Sequence, residues 1–220
     1  MIDFLSNPTN LAEVLAMLIA LVTLTGRGTG WWRTFIFFLA ITLGVEGGGY
    51  YMVHVLGRTD NYILFVLFML VEVSFYTFIF FRVLQSNLLQ RWLIAFFIMF
   101  ILIYLYDISR TNFLQYTSLS RIGLSVYVVL FSCIYYRQLL YDEKMVYPLR
   151  HPAFWVVTGL FFFYFGTIVI FCFRSALLAL PGQGIFIRKT LLGTLNWILY
   201  ASWSIAFIWK KRQLRSSGPS

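Results

Sequence analysis

Seven long apolar segments, separated by short polar connections, dominate the pattern of the chain. A helix that spans a membrane needs about 20 predominantly apolar residues, and each segment meets or approaches that length. The predicted spans are residues 9–25, 34–56, 62–84, 92–106, 119–140, 153–173 and 190–209. Because no connection is long enough for a further domain, the pattern predicts an all-α membrane protein with a single seven-transmembrane-helix bundle over residues 1–220.

Composition supports the same class. Of the 220 residues, 60% are hydrophobic, 20% are aromatic and only 11% are charged. Since soluble domains carry about 25% charged residues, a soluble enzyme is excluded. The net charge of +9 would suggest nucleic acid as the partner of a soluble protein, but in a membrane protein the cations of the connections set orientation. The predicted partner is therefore the lipid bilayer, and nucleic acid is not expected.

The distribution of lysine and arginine predicts the orientation of the bundle. With the N-terminus outside and the C-terminus in the cytoplasm, eleven of the 17 basic residues fall on the inner side, as the positive-inside rule requires. The basic segment 210–215 contributes most to this bias, and anionic lipid would hold it. Arg121 is assigned to the outer side. We expect a multi-pass protein of a bacterial inner (plasma) membrane.

Three acidic residues lie within predicted spans and are the main candidates for chemistry. An ionised acid at the centre of a membrane helix costs roughly 2.5–3.5 kcal/mol on insertion scales. Glu46 and Glu72 lie near the midpoints of consecutive spans, whereas Glu13 lies outward of the centre of the first span. The short connection 57–61 predicts that Glu46 and Glu72 face each other near the midplane. No basic residue is expected at that depth, so the acids are predicted to lack a cationic partner.

The acids then allow two interpretations. They could share a proton, or bind a cation, an amine or a metal ion whose identity is undetermined. Alternatively, each acid is protonated and fixes helix packing through hydrogen bonds. Gly47, Gly48 and Gly49 follow Glu46 and are predicted to act as a hinge or to allow close helix approach. No catalytic residue is assigned; the predicted ligand- or cation-binding residues are Glu46, Glu72, Glu13, His54, Tyr50, Tyr76 and Asn196.

Two cofactors are argued against by residue placement. A retinal Schiff base needs a lysine within a span, and Lys144, Lys189, Lys210 and Lys211 all fall at connections or ends. A haem held by two histidines needs them at matched depth, whereas His54 and His151 are predicted on opposite sides. No cofactor is therefore expected.

The sixth span carries a resemblance. The run 151–159 (HPAFWVVTG), followed by Tyr164-Phe165-Gly166-Thr167, is similar to uncharacterised small seven-helix membrane proteins of bacteria. It also resembles the membrane part of seven-helix sensor kinases. The resemblance implies a signalling or accessory role, with a cytoplasmic or membrane partner such as a sensor kinase, and it supplies no ligand or catalytic residue.

The leading hypothesis is an integral membrane sensor or accessory receptor without its own output domain, with an acidic pocket in the outer half of the bundle. The first alternative is a small proton- or cation-coupled transporter that uses Glu46 and Glu72. The sequence offers only a weak internal repeat for transport, in which residues 79–84 and 134–139 place Arg82 and Arg137 at equivalent helix ends. The second alternative is an intramembrane lipid-modifying enzyme with an acid pair.

Overall fold

The computed structural model describes residues 8–26, 28–58, 61–111, 118–141, 147–173 and 184–216, and these residues are almost entirely helical. Two short 3-10 turns, Gly30–Arg33 and Pro148–Arg150, precede the second and sixth helices. The α-helices are α1 (Pro8–Leu24), α2 (Thr34–His54), α3 (Tyr62–Val83), α4 (Asn87–Thr111), α5 (Ser118–Tyr141), α6 (Pro152–Cys172) and α7 (Gly184–Ser216).

The helices have the length and apolar character that a bilayer requires. In the described part of the chain, the six helices α2 to α7 are long and apolar enough to cross a membrane, and α1 is a shorter apolar helix. Large apolar side chains such as Val22, Phe37 and Leu102 are 63% or more exposed, which is typical of surfaces that contact membranes. The protein is a multi-pass membrane protein with a helical fold.

Two helices extend well beyond their predicted bounds. The prediction for the fourth span was 92–106, but α4 covers Asn87–Thr111. The prediction for the seventh span was 190–209, but α7 covers Gly184–Ser216. The extra turns do not contradict the predicted spans, because a helix can continue beyond the segment that lies within the membrane. Hydropathy falls where charged residues begin, whereas backbone hydrogen bonds continue through arginine and lysine, which are good helix formers.

Residues Met1–Leu43 and Asp142–Ser220 form one compact unit. Within it, α1 and α6 both pack against α7. Gly159 allows α6 to approach α7 closely, because a Cβ atom at this position would lie 3.0 Å from Ser202 Cβ and 3.1 Å from the Leu199 carbonyl oxygen. The first part of α2 joins the unit through Phe35, whose ring meets that of Trp203 edge-on with centroids 5.2 Å apart.

Residues Gly44–Tyr141 form the other compact unit, which contains the end of α2 and all of α3, α4 and α5. Its helices are joined by buried polar contacts as well as by apolar packing. Tyr104 on α4 donates a hydrogen bond of 2.9 Å to the Val66 carbonyl on α3. The hydroxyl groups of Thr77 on α3 and Tyr127 on α5 lie 2.7 Å apart. This unit contains most of the predicted site residues.

Candidate functional site

A buried ion pair joins α3 to α5. Arg121 Nη1 lies 3.1 Å from Glu72 Oε2, and the two side chains are only 14% and 10% exposed. The prediction that the intramembrane acids lack a cationic partner was therefore wrong for Glu72. Since an isolated charge is costly in a low-dielectric interior, the guanidinium offsets part of the desolvation cost of the carboxylate.

The register between α3 and α5 explains how Arg121 reaches Glu72. Three contacts link the two helices at increasing residue numbers in both: Glu72 with Arg121, Thr77 with Tyr127, and Gln85 with Gln138. The helices are therefore parallel, and the first turn of α5 lies level with the middle of α3. The distribution of basic residues assigned Arg121 to the outer side, because Arg121 lies near the start of the fifth predicted span and the sequence does not show how far α5 is displaced along α3.

Glu46 on α2 completes a group of three charged residues. Its carboxylate interacts electrostatically with both Glu72 and Arg121. Glu46 is half-buried, and it forms no hydrogen bond or salt bridge with the described residues. We call Glu46, Glu72 and Arg121 the charge cluster. It contains two carboxyl groups and one guanidinium, so it carries one excess negative charge when all three groups are ionised.

The glycines after Glu46 lie in a continuous α-helix that extends to His54. A Cβ atom at Gly49 would lie 2.9 Å from Asn61 Nδ2, and one at Gly48 would lie 3.5 Å from Leu64 Cδ1. A Cβ atom at Gly47 would meet nothing within 4 Å. Gly48 and Gly49 thus allow the end of α2 to pack closely beside α3, and a hinge at Gly47–Gly49 stays a prediction.

The aromatic candidates of this unit lie in different environments. His54 is exposed, its ring stacks on that of Tyr50 with centroids 4.1 Å apart, and its Nδ1 lies 3.1 Å from the Tyr50 carbonyl oxygen. These contacts are between residues one turn apart at the end of α2. Tyr76 is 2% exposed and its ring lies beside that of Phe75 on α3. Their roles as ligand-binding residues stay predictions.

Two further candidates, Glu13 and Asn196, belong to the other unit. Tyr200 on α7 donates a hydrogen bond of 3.2 Å to Glu13 Oε1 on α1, and the two side chains are 5% and 3% exposed. Asn196 lies one turn before Tyr200 and is half-buried. The Glu13–Tyr200 contact joins α1 to α7, so it has an evident packing role in addition to any role in binding.

The role of Asp107 is not visible in the sequence. This residue is 8% exposed near the end of α4, and its Oδ2 accepts hydrogen bonds from the backbone N–H of Ser120 at 2.9 Å and from the Ser120 hydroxyl at 2.7 Å. The carboxylate therefore caps the start of α5, where helices leave backbone N–H groups unpaired. It also fixes the first turn of α5, the turn from which Arg121 reaches Glu72.

Among the residues that the structure describes, no three His, Cys, Asp or Glu side chains converge in a way that could hold a metal ion. No protein-family model, curated protein or solved structure matches the chain.

Proposed function

We propose that this protein is an integral membrane sensor or accessory receptor, and that the charge cluster is its ligand- or cation-binding site. The observation that carries the proposal is the buried Arg121–Glu72 ion pair with a second carboxylate, Glu46, in electrostatic range. Ionisable residues inside a membrane are expensive, and they usually mark functional sites. The cluster also joins three helices, so a change in its charge would act on all three.

The excess of acid over base indicates the kind of ligand. With two carboxyl groups and one guanidinium, the charge cluster is neutralised by one proton, one small monovalent cation or one organic amine. Arg121 can also exchange partners. A ligand that neutralises Glu72 leaves Glu46 as the remaining anionic partner for the guanidinium, and Glu46 is on a different helix. Such a ligand would favour one helix arrangement over another, which is the requirement for a ligand-driven shift.

The glycines of α2 support a movable contact. Gly48 and Gly49 present no side chain of their own to α3, and the side chains of Asn61, Leu64 and Phe65 pack against them, so a shift of α2 has to displace only the side chains on the α3 side. In this mechanism ligand binding changes the Arg121 partner, α2 moves, and a cytoplasmic or membrane partner responds to the movement. A sensor kinase is the partner that the sequence resemblance implies.

The proposal is tested by the distance between α2 and α5 in the reconstituted protein. After Cys133 and Cys172 are replaced by alanine, spin labels are attached at Tyr51→Cys on α2 and Val126→Cys on α5, which are both about half exposed. Electron–electron resonance distances are then measured in nanodiscs with and without sodium, methylammonium or a pH change. We expect at least one of these probes to shift the distance distribution.

Matched variants decide whether the shift originates at the charge cluster. Glu46→Gln should abolish it, because the excess negative charge is removed. Asp107→Asn makes the same chemical change in the same unit, but its amide oxygen can still accept the hydrogen bonds from Ser120, so the first turn of α5 stays fixed and the shift should persist. If no probe shifts the distances, or if Glu46→Gln responds as the unmodified protein does, the charge cluster is structural and the sensor proposal is wrong.

A second candidate function is proton- or cation-coupled transport, and it is favoured by the same arrangement of two carboxylates around one arginine. Exchange of Arg121 between Glu46 and Glu72 would give the site a loaded and an unloaded state. The test is cation-driven proton flux in liposomes that contain a pH-sensitive dye. A transporter should give a flux that Glu46→Gln abolishes and Asp107→Asn retains, whereas a sensor should change its helix distances without flux.

The proposed topology has seven spans, with the N-terminus outside and the C-terminus in the cytoplasm of a bacterial inner membrane. Its support is the distribution of basic residues in the sequence. Arg27, Lys144 and Arg174, which contribute to that distribution, lie outside the described residues. Cysteine labelling from each side of the membrane tests it: a cysteine at Arg215 should react only from the cytoplasmic side.

A further inference from the structure

One end of the unit that contains α6 and α7 presents a group of basic side chains from three parts of the chain. We call this group the basic face: Arg33, Arg150, Lys210, Lys211, Arg212 and Arg215. Lys210 Nζ lies 6.0 Å from the centre of the Trp32 ring, next to Arg33. Gln213 donates a hydrogen bond of 3.4 Å to the Arg150 carbonyl oxygen. The end of α7 therefore meets both 3-10 turns of the unit.

Two members of the basic face stabilise the end of α1. Lys211 Nζ donates a hydrogen bond of 3.0 Å to the Val22 carbonyl oxygen. Arg33 Nη2 donates one of 2.9 Å to the Gly26 carbonyl oxygen. The Val22 carbonyl is among the last carbonyl groups of α1, which lack partners within the helix and carry partial negative charge, and the Gly26 carbonyl lies just after α1. Lys211 and Arg33 therefore have a structural role that accounts for their positions.

The other four basic side chains have no such role. Arg150, Arg212 and Arg215 are exposed and Lys210 is half-buried, and none of the four donates a hydrogen bond to a described residue. In the described part of this unit the only acidic residue is Glu13, which accepts a hydrogen bond from Tyr200. Glu13 lies nine residues before Val22 on α1, about 13 Å along the helix axis. Among the described residues, no acidic side chain therefore lies near these four positive charges.

Two tryptophan side chains support a position of the basic face at the level of lipid headgroups. Trp31 and Trp209 are half-buried and keep exposed ring surface, whereas Trp32 is only 5% exposed and packs inside the unit. The Arg212 guanidinium lies 5.2 Å from the centre of the Trp209 ring. Tryptophan is enriched at membrane–water interfaces, where its ring contacts the acyl chains and its N–H remains in the polar layer. A cation that lies on a partly exposed ring, as Arg212 lies on Trp209, would be level with the phosphate groups of the lipids.

We propose that the basic face binds the phosphate groups of anionic phospholipids, with Arg150, Lys210, Arg212 and Arg215 as the binding side chains. The exposed guanidinium groups can each donate two parallel hydrogen bonds to a phosphate group. Each basic residue near an anionic membrane surface strengthens binding by roughly fivefold. An acidic protein would complement the charge as well, but the adjacent tryptophans favour lipid, because they keep the basic face within the headgroup layer.

The test is selective lipid retention by the purified protein, measured by native mass spectrometry. The probes are phosphatidylglycerol and phosphatidylcholine with the same acyl chains, added at equal concentration. We expect the unmodified protein to retain phosphatidylglycerol in preference to phosphatidylcholine, and the preference to weaken as salt is raised. Arg212→Gln with Arg215→Gln should reduce the affinity for phosphatidylglycerol by about tenfold or more.

A control variant at the opposite end of α7 distinguishes lipid binding at the basic face from a general effect of the protein's net charge. Arg188→Gln with Lys189→Gln also removes two positive charges and should retain the preference for phosphatidylglycerol. Circular dichroism confirms that both variants keep their helices. If the two variants lose phosphatidylglycerol equally, or if the unmodified protein shows no preference between the two lipids, the proposed site is wrong.

Discussion

The Arg121–Glu72 pair gives the most specific prediction for stability. Removing the charge of Arg121, Glu72 or Glu46 should lower the free energy of unfolding by amounts that decrease in that order. Two unit charges about 4 Å apart attract by about 4 kcal/mol at the effective dielectric typical of proteins. Removal of one partner from a buried pair costs about 3–5 kcal/mol. The pair is near this buried limit, since its side chains are 14% and 10% exposed.

Arg121→Met should be the most harmful change. It leaves Glu72 and Glu46 close together with no cation between them, so we expect the free energy of unfolding to fall by about 3–5 kcal/mol. Glu72→Gln should cost about 1–3 kcal/mol, because an amide oxygen still accepts a hydrogen bond from Arg121 and Glu46 still attracts the guanidinium. Glu46→Gln should cost less than about 1 kcal/mol, since the ion pair stays intact.

The assay is reversible unfolding in mixed micelles by sodium dodecyl sulfate, followed by circular dichroism and by tryptophan fluorescence. The double variant Arg121→Met with Glu72→Gln should be more stable than Arg121→Met alone, because it no longer leaves Glu72 as an unpaired buried charge. If Arg121→Met is as stable as the unmodified protein, or if Glu46→Gln is the most destabilising of the three variants, the Arg121–Glu72 ion pair does not stabilise the packing of α3 against α5.

Three further predictions use the same unfolding assay. Gly159→Ala should destabilise the protein by about 1–3 kcal/mol, because the added Cβ atom would lie 3.0–3.1 Å from atoms of α7. Gly47→Ala places its Cβ atom in open space and should be neutral or stabilising. Equal changes in stability for the two variants would contradict the close approach of α6 and α7. Asp107→Ala should cost about 1–3 kcal/mol, since it leaves the Ser120 N–H without its acceptor, while Asp107→Asn keeps an acceptor oxygen and should cost clearly less. Gly57→Ala should cost about 1 kcal/mol, because this glycine has a φ of 64°, a left-handed conformation that disfavours a Cβ atom; a stabilised variant would refute it.

Two of the three residues of the charge cluster can be identified from the sequence, and the third cannot. Glu46 and Glu72 stand out in the sequence, because an acid in an apolar segment is visible without any knowledge of the fold. Arg121 does not stand out, because it lies near the start of an apolar segment, where an arginine normally reaches the interface. Its role depends on how far α5 is displaced along the axis of α3. That displacement is set by contacts such as Thr77–Tyr127, which join residues 50 positions apart in the chain.

The sequence by itself determined the class of protein and the positions of the helices, because hydropathy and backbone hydrogen bonding are local properties. It did not determine the ends of α4 and α7, since a helix continues past the point where its surface becomes polar. Only the tertiary structure paired Arg121 with Glu72 and Asp107 with Ser120. Such pairs depend on the register and axial displacement between helices. Both are determined by side-chain packing over whole helix faces, so no short sequence pattern can predict them.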